Sequence, residues 1–138
     1  MQPVFKGLFN VSYYEKEVND EIISWVGEPF GFITSLKMGG SGSPRMIIQD
    51  ASEAIQPLLS KDKYIKYCNI EIRPKGLILR FRLRLDALAF VVSYKDMEVV
   101  KTDSGYMLRG HQQFFHLIPF KNVKQVAAFF VKIQRSIV

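Results

Sequence analysis

The 138-residue sequence contains no run of about 18 apolar residues, the length that a membrane-spanning helix requires. Its first residues, Met1–Lys6, lack the basic start and the apolar block of a signal peptide. The one cysteine, Cys68, cannot form an internal disulfide, and its neighbours Ile70 and Ile72 predict a small core residue. A nucleophilic thiolate would need an electropositive, partly exposed setting. We therefore expect a cytoplasmic protein without internal disulfides.

The signatures of common enzyme and cofactor sites are also missing. The two histidines, His111 and His116, lie an odd number of positions apart, so on one strand they would face opposite sides and could not share a metal ion. The glycine- and serine-rich segment 39–44 matches neither the Walker phosphate loop nor the dinucleotide fingerprint, and its serines lack the nucleophile elbow of hydrolases. We interpret this segment as a flexible surface loop. The sequence thus predicts no metal, no cofactor and no enzymatic activity, with a small histidine-dependent enzyme as the minor alternative.

The composition is that of one globular domain, because 48% of the residues are hydrophobic and 23% are charged. We expect a single α+β domain over residues 1–138. Residues 1–63 would supply helix and hairpin elements, and residues 64–138 would supply strands and a final helix. The net charge of +6 favours anionic partners if the positive charges are clustered.

Apolar and cationic residues alternate without a break over Leu79–Leu85. Side chains of a strand point to opposite faces with period two, so this pattern predicts a half-buried strand with a basic outer stripe. The side chains expected to face the core are Leu79, Phe81, Leu83 and Leu85. The side chains expected on the outer face are Arg80, Arg82 and Arg84.

These three arginines, together with Arg73 and Lys75 just before them, are candidates for a cationic face that binds phosphates of nucleic acid, lipid headgroups or a partner protein. The alternative is that an outward sheet face carries solvated charges, which also discourage edge pairing. A register that keeps Ile70 and Ile72 on the apolar side places Glu71 among the arginines. Glu71 could then neutralise one of them.

Periodicity and turn residues predict the remaining elements. In the first half we expect a helix over Tyr13–Val26 with a capping box at Ser12, strands over Phe30–Lys37 and Arg45–Gln49, and a short or broken helix near Pro57. In the second half the expected strands are Tyr64–Arg73, Leu77–Leu85, Ala87–Tyr94, Met97–Thr102, Tyr106–Gly110 and Gln113–Ile118. An amphipathic helix over Asn122–Ile137 would cover the open end of this antiparallel sheet.

The second half resembles bacterial pleckstrin-homology-like (PH-like) domains over about residues 64–138. The segments that carry the resemblance are Gly76–Arg80, the corner within Phe90–Val100, Phe114–Leu117 and the terminal amphipathic helix. The resemblance implies a PH-like barrel capped by that helix, and it implies assembly into dimers or rings. Lipid-binding members of the wider superfamily have a long basic loop where this chain has only Pro74-Lys75-Gly76, a tight turn. We therefore carry over no lipid-site residues and expect no specific phosphoinositide recognition.

Two apolar residues of the terminal helix, Phe129 and Val131, lie outside its main stripe. They are candidates for an interface with a partner or a second copy, or else for contact with the first half of the chain. The leading hypothesis is a non-enzymatic binding or scaffold module that acts through protein–protein contact or self-association. The second is an electrostatic binder of an anionic membrane surface or nucleic acid through the basic strand.

Overall fold

The computed structural model of the chain describes residues 5–60 and 63–137, and within these ranges it forms eight strands, four α-helices and one 3₁₀ helix at Tyr94–Asp96. The strands are β1 (Leu8–Asn10), β2 (Met46–Ala51), β3 (Tyr67–Ile72), β4 (Gly76–Leu83), β5 (Asp86–Ser93), β6 (Met97–Lys101), β7 (Tyr106–Gly110) and β8 (Gln113–Pro119). The helices are α1 (Lys16–Val26), α2 (Phe32–Lys37), α3 (Gln56–Ser60) and α4 (Val123–Ile137). None of these helices is long and apolar enough to cross a membrane.

All eight strands belong to one open antiparallel sheet in the order β1-β5-β4-β3-β2-β8-β7-β6. The α+β class is therefore confirmed. The six strands predicted for the second half are present in the predicted order, and their ends shift by no more than three residues. Short turns between consecutive strands account for this agreement, since such turns leave a clear signal in the sequence.

The sheet curls until its two halves face each other across one core. Phe115 on β8 lies 5.0 Å from Phe90 on β5 and 5.8 Å from Phe81 on β4, measured between ring centroids. At the β7–β8 turn, the His111 Nε2 atom lies 2.9 Å from the carbonyl oxygen of Val91. Gly7 has a φ of +87° and lies against the His111 ring, where a Cβ atom would overlap that ring. The inner faces of β4, β5 and β8 therefore bury one another's apolar side chains.

Helix α4 fills the mouth of this curled sheet. Its buried side chains recur at helical spacing and are Val126, Phe129, Phe130 and Ile133. Phe130 stacks on Tyr106 of β7 with ring centroids 3.8 Å apart. Each such side chain contributes about 1.5–3 kcal/mol by leaving water. The predicted amphipathic helix at the end of the chain is confirmed, and its apolar side chains belong to the main core.

Helix α1 packs on the opposite, outer face of the sheet, but only over part of it. Its buried side chains Val18, Ile22 and Val26 contact apolar residues of β1, β4 and β5. Those contacted residues are Phe9, Ile78, Ala89 and Val91. The domain thus has helices on both sides of a single sheet.

The first half departs most from the sequence-based expectation. The predicted strand over Phe30–Lys37 is wrong, because this segment forms helix α2, which Gly39 and Gly40 close with positive φ angles. The predicted flexible loop at 39–44 lies along β3: Ser41 accepts a hydrogen bond of 2.7 Å from the Ile72 amide, and the Ser43 amide donates one of 2.8 Å to Ile70. Long-range pairing of this kind leaves no local pattern.

Two turns also correct the predicted boundaries. Ser12 does not cap α1; its hydroxyl donates to Asn10 and accepts from the Ala87 amide, so the helix starts at Lys16. Leu85, predicted to face the core, is 89% exposed. Arg84 has a φ of +58° and turns the chain directly after Leu83, which ends the alternation early.

The two interface candidates on α4 have opposite surroundings. Phe129 is only 3% exposed and belongs to the main core, so its assignment to an interface is wrong. Val131 is 51% exposed.

We expect Phe129→Ala to lower the free energy of unfolding by about 3–5 kcal/mol, because it removes a buried aromatic ring and leaves a cavity. The matched variant Val131→Ala, two positions along the same helix, should change it by less than about 0.5 kcal/mol. Urea denaturation followed by circular dichroism measures both values. Equal losses in the two variants would contradict the orientation of α4.

Candidate functional site

The part of the outer sheet face that α1 leaves uncovered forms an open cleft of about 620 Å³, which we call the cationic groove. It is lined by residues of β3, β4 and β5 and by Ser43 and Arg45, which precede β2. The basic residues that line it are Arg45, Lys66, Arg80, Arg82 and Arg84. Of the described lining residues, none is acidic. The groove therefore concentrates positive charge in a concave surface.

Strand pairing brings these cations together from three separate segments. Arg80 and Arg82 point outward from β4, as the alternation predicts, and Asn69 on β3 lies directly opposite Arg80. Arg45 immediately precedes β2, which pairs with the start of β3 through Ile47 and Tyr67. Sequence reasoning missed Arg45 and Lys66, because their place in the groove depends on the β2–β3 pairing.

Two of the predicted anion-binding residues lie outside the groove. The Arg73 side chain is only 6% exposed; its Nε donates to Glu71 over 2.7 Å and its Nη1 donates to the Gly27 carbonyl over 2.7 Å. Arg73 therefore ties the end of α1 to the sheet, where a cation meets the negative end of a helix. Lys75 lies in the β3–β4 turn beside Trp25 and Tyr94, in a different cleft.

Glu71 marks the boundary between the covered and the open parts of the outer face. One carboxylate oxygen accepts from Arg73 and the other accepts from Arg80 over 2.9 Å. Burial alone would raise the pKa of Glu71, but hydrogen bonds and charge from the two arginines outweigh burial and lower it. The expectation that Glu71 neutralises one arginine of the stripe is confirmed for Arg80.

Two further groove arginines, Arg45 and Arg82, contact an aromatic ring and a carbonyl oxygen. The Arg45 guanidinium lies 5.0 Å from the centre of the Tyr67 ring, and that ring meets Phe120 edge-on at 5.0 Å. A cation held over an aromatic face keeps its charge available on the other side. Arg82 reaches only the Leu85 carbonyl, over 3.5 Å, and is exposed.

The cysteine and the two histidines have separate surroundings. Burial raises the pKa of the Cys68 thiol to about 12, in agreement with the prediction of a core residue. His116 contacts the Thr102 hydroxyl over 2.8 Å, and His111 contacts the Val91 carbonyl, so the two rings have separate surroundings. Among the described residues, no group of three or more His, Cys, Asp or Glu side chains is placed to hold a metal ion. The features of the groove that could recognise a ligand are its basic side chains and its concave shape.

Comparison with known proteins gave no match to this chain among family models, curated proteins or solved structures. The chemistry of the groove therefore has to be inferred from its own residues. Its main properties are five basic side chains, an open shape and a rim of exposed side chains at one end.

We expect Glu71→Gln to lower the free energy of unfolding at neutral pH by about 3 kcal/mol, because it leaves the buried Arg73 without a carboxylate. The folded-state pKa of Glu71 is lowered, so its stabilising effect is present above its ordinary pKa of 4.5 and is lost as the pH falls through the folded value. The variant should therefore lose less stability on acidification than the wild type. Urea denaturation at pH 7 and at pH values below 4.5 measures both effects.

The control for this experiment is Glu98→Gln, which removes the exposed pair between Glu98 and Arg109. Exposed pairs contribute little, so we expect a change of less than about 1 kcal/mol and an acid response like that of the wild type. If Glu71→Gln and Glu98→Gln were equally stable at pH 7, the bridging role of Glu71 would be wrong.

Proposed function

We propose that this chain is a non-enzymatic binding domain that holds anionic, phosphate-bearing ligands in the cationic groove. One observation carries the proposal: five basic side chains, from β4, the β4–β5 turn and the residues just before β2 and β3, line a single open cleft in which no described lining residue is acidic. Such a cluster raises the local concentration of anions and favours their binding. The domain would act in the cytoplasm, where a reduced Cys68 is the ordinary state.

The distribution of charge supports binding over a merely solvated face. A solvated face usually mixes charges of both signs. On this face Glu71 lies at the boundary with α1, where its carboxylate forms ion pairs with Arg73 and Arg80. Farther along the strand, Arg82 is exposed and directed into the groove, and Arg45 is exposed above Tyr67. The exposed charge of Arg45 and Arg82 supports the binding of an anion in the open part of this face.

We further propose that the fold is a variant of the PH-like barrel. In support of this, the antiparallel sheet curls around one core and the last helix fills its mouth. The added elements α1 and β1 on the outer face would then belong to this chain's own version of the fold. This proposal concerns the fold and assigns no ligand.

A second candidate function, self-association or protein binding, is favoured by helix α2. Phe32, Ile33 and Leu36 are 79%, 68% and 65% exposed, and none of the α2 residues is buried. Exposed apolar side chains on one short helix are typical of a contact surface. Association through these side chains would be insensitive to salt, whereas anion binding in the groove would weaken as salt rises.

The test of the groove compares two variants of equal charge change. In Arg45→Glu/Arg82→Glu both substitutions lie in the groove, and in Lys95→Glu/Lys124→Glu both lie on exposed positions outside it. The probe is fluorescently labelled inorganic polyphosphate, followed by anisotropy at low and at physiological salt. We expect the groove variant to bind at least about tenfold more weakly and the control variant to lose less than about threefold.

Wild-type binding should also weaken steeply with salt, because each phosphate contact releases counterions. Equal losses in the two variants would mean that only the overall charge matters. That result, or the absence of wild-type binding at low salt, would contradict the proposed function. Thermal unfolding of each variant checks that the fold is retained.

A further inference from the structure

Three connections meet at one end of the sheet, next to the cationic groove. Arg84 and Leu85 form the turn between β4 and β5, since Leu83 pairs with Asp86. The segment 64–66 leads into β3. Cys68 of β3 pairs with Phe81, which lies two positions before Leu83 at the end of β4, so this segment reaches the same end of the sheet. The third segment follows β1: the Val11 amide bonds to the Ala87 carbonyl, and Tyr13 and Tyr14 come directly after.

Each of these connections carries exposed aromatic or aliphatic side chains. The exposed fractions are 89% for Leu85, 59% for Ile65, and between 77% and 85% for Tyr13, Tyr14 and Tyr64. Large apolar side chains in this number at one end of a domain are unusual, because each stays in contact with water. Their concentration points to a partner that removes them from water.

The same end carries exposed positive charge. Arg82 and Arg84 flank Leu85 on either side of the turn, and Ile65 lines the groove together with both arginines. The one acidic residue of the turn, Asp86, accepts a hydrogen bond from Ser12 over 3.3 Å. Apolar side chains at loop tips beside basic side chains fit the boundary between the headgroups and the acyl chains of an anionic bilayer.

We propose that this end of the sheet docks onto an anionic lipid bilayer. This proposal rests on the proposed function and names lipid headgroups as the source of the phosphates. Leu85 and Ile65 enter the interfacial region, the tyrosines lie at headgroup level, and Arg45 and Arg82 face the lipid phosphates. Each basic residue near the surface strengthens binding by about fivefold. Among the described residues no loop encloses the groove, so recognition depends on surface charge density and not on one headgroup.

The aliphatic tips favour a bilayer over a nucleic acid. Nucleic acids gain affinity from aromatic rings that stack on bases and from cations that contact phosphates. Leu85 and Ile65 can make neither contact. Their exposed apolar surface leaves water only when it enters an apolar medium. Binding to a nucleic acid would leave both side chains in water.

The experiment uses the full chain and two sets of vesicles, one of phosphatidylcholine and one with about a third phosphatidylserine, in co-sedimentation. The tip variant is Ile65→Ser/Leu85→Ser. Its matched control is Phe32→Ser/Leu36→Ser, which removes two equally exposed apolar side chains from α2. All substituted positions are exposed, and thermal unfolding checks that the fold is retained.

We expect the wild type to bind the anionic vesicles only. The tip variant should bind them at least about tenfold more weakly, with the control within about twofold of the wild type. Polyphosphate binding in solution should be the same for the tip variant and the wild type, because the groove cations are unchanged. This pattern would establish that the tips act on the bilayer and not on the anion.

Two results would overturn bilayer docking while the proposed function stands. The first is a wild type that binds polyphosphate or single-stranded DNA but no vesicles. The second is a tip variant that binds anionic vesicles as tightly as the wild type. If the wild type bound neither polyphosphate nor vesicles, the proposed function itself would be wrong.

Discussion

The outward face of β4 changes from apolar at Ile78 to cationic at Arg80 and Arg82, and this change determines where α1 can pack. An apolar helix face cannot cover arginines without a large desolvation cost, so α1 stays over Ile78 and its apolar neighbours on β1 and β5. The remaining outer face is left open. The cationic groove is therefore a direct consequence of the change in polarity along a single strand.

Glu71 makes the boundary between the two regions stable. Its carboxylate compensates Arg73, which is buried under the end of α1, and Arg80, which is half exposed at the start of the groove. Glu71 thus pairs with arginines at the covered edge, whereas Arg45 and Arg82 contact a ring and a carbonyl oxygen in the open part. On the inner side, the buried apolar residues of the sheet and α4 stabilise the fold. This stabilisation offsets the repulsion between like charges on the outer face.

The period-two pattern was enough to predict β4, its outward Arg80 and Arg82, and an ion pair between Glu71 and one arginine of the stripe, because these depend on alternation and on one hairpin. The same reasoning could not place Arg45, which reaches the groove through pairing between distant segments. It left Phe129 as a candidate either for an interface or for contact within the chain, since helix periodicity does not show how many sides of a helix are covered. The segment Phe30–Lys37 has a strand-like composition, yet Phe32–Lys37 folds as a helix.

Backbone amide NMR of the labelled protein during titration with anionic bicelles tests most directly whether the groove and its adjacent sheet end form the binding face. The account predicts chemical-shift changes at Arg45, in segment 64–67 and in segment 82–85, with little change at α2 or β6. It also predicts that the changes disappear in neutral bicelles, because electrostatic attraction is needed for binding. Changes confined to α2, or no change at all in anionic bicelles, would contradict it.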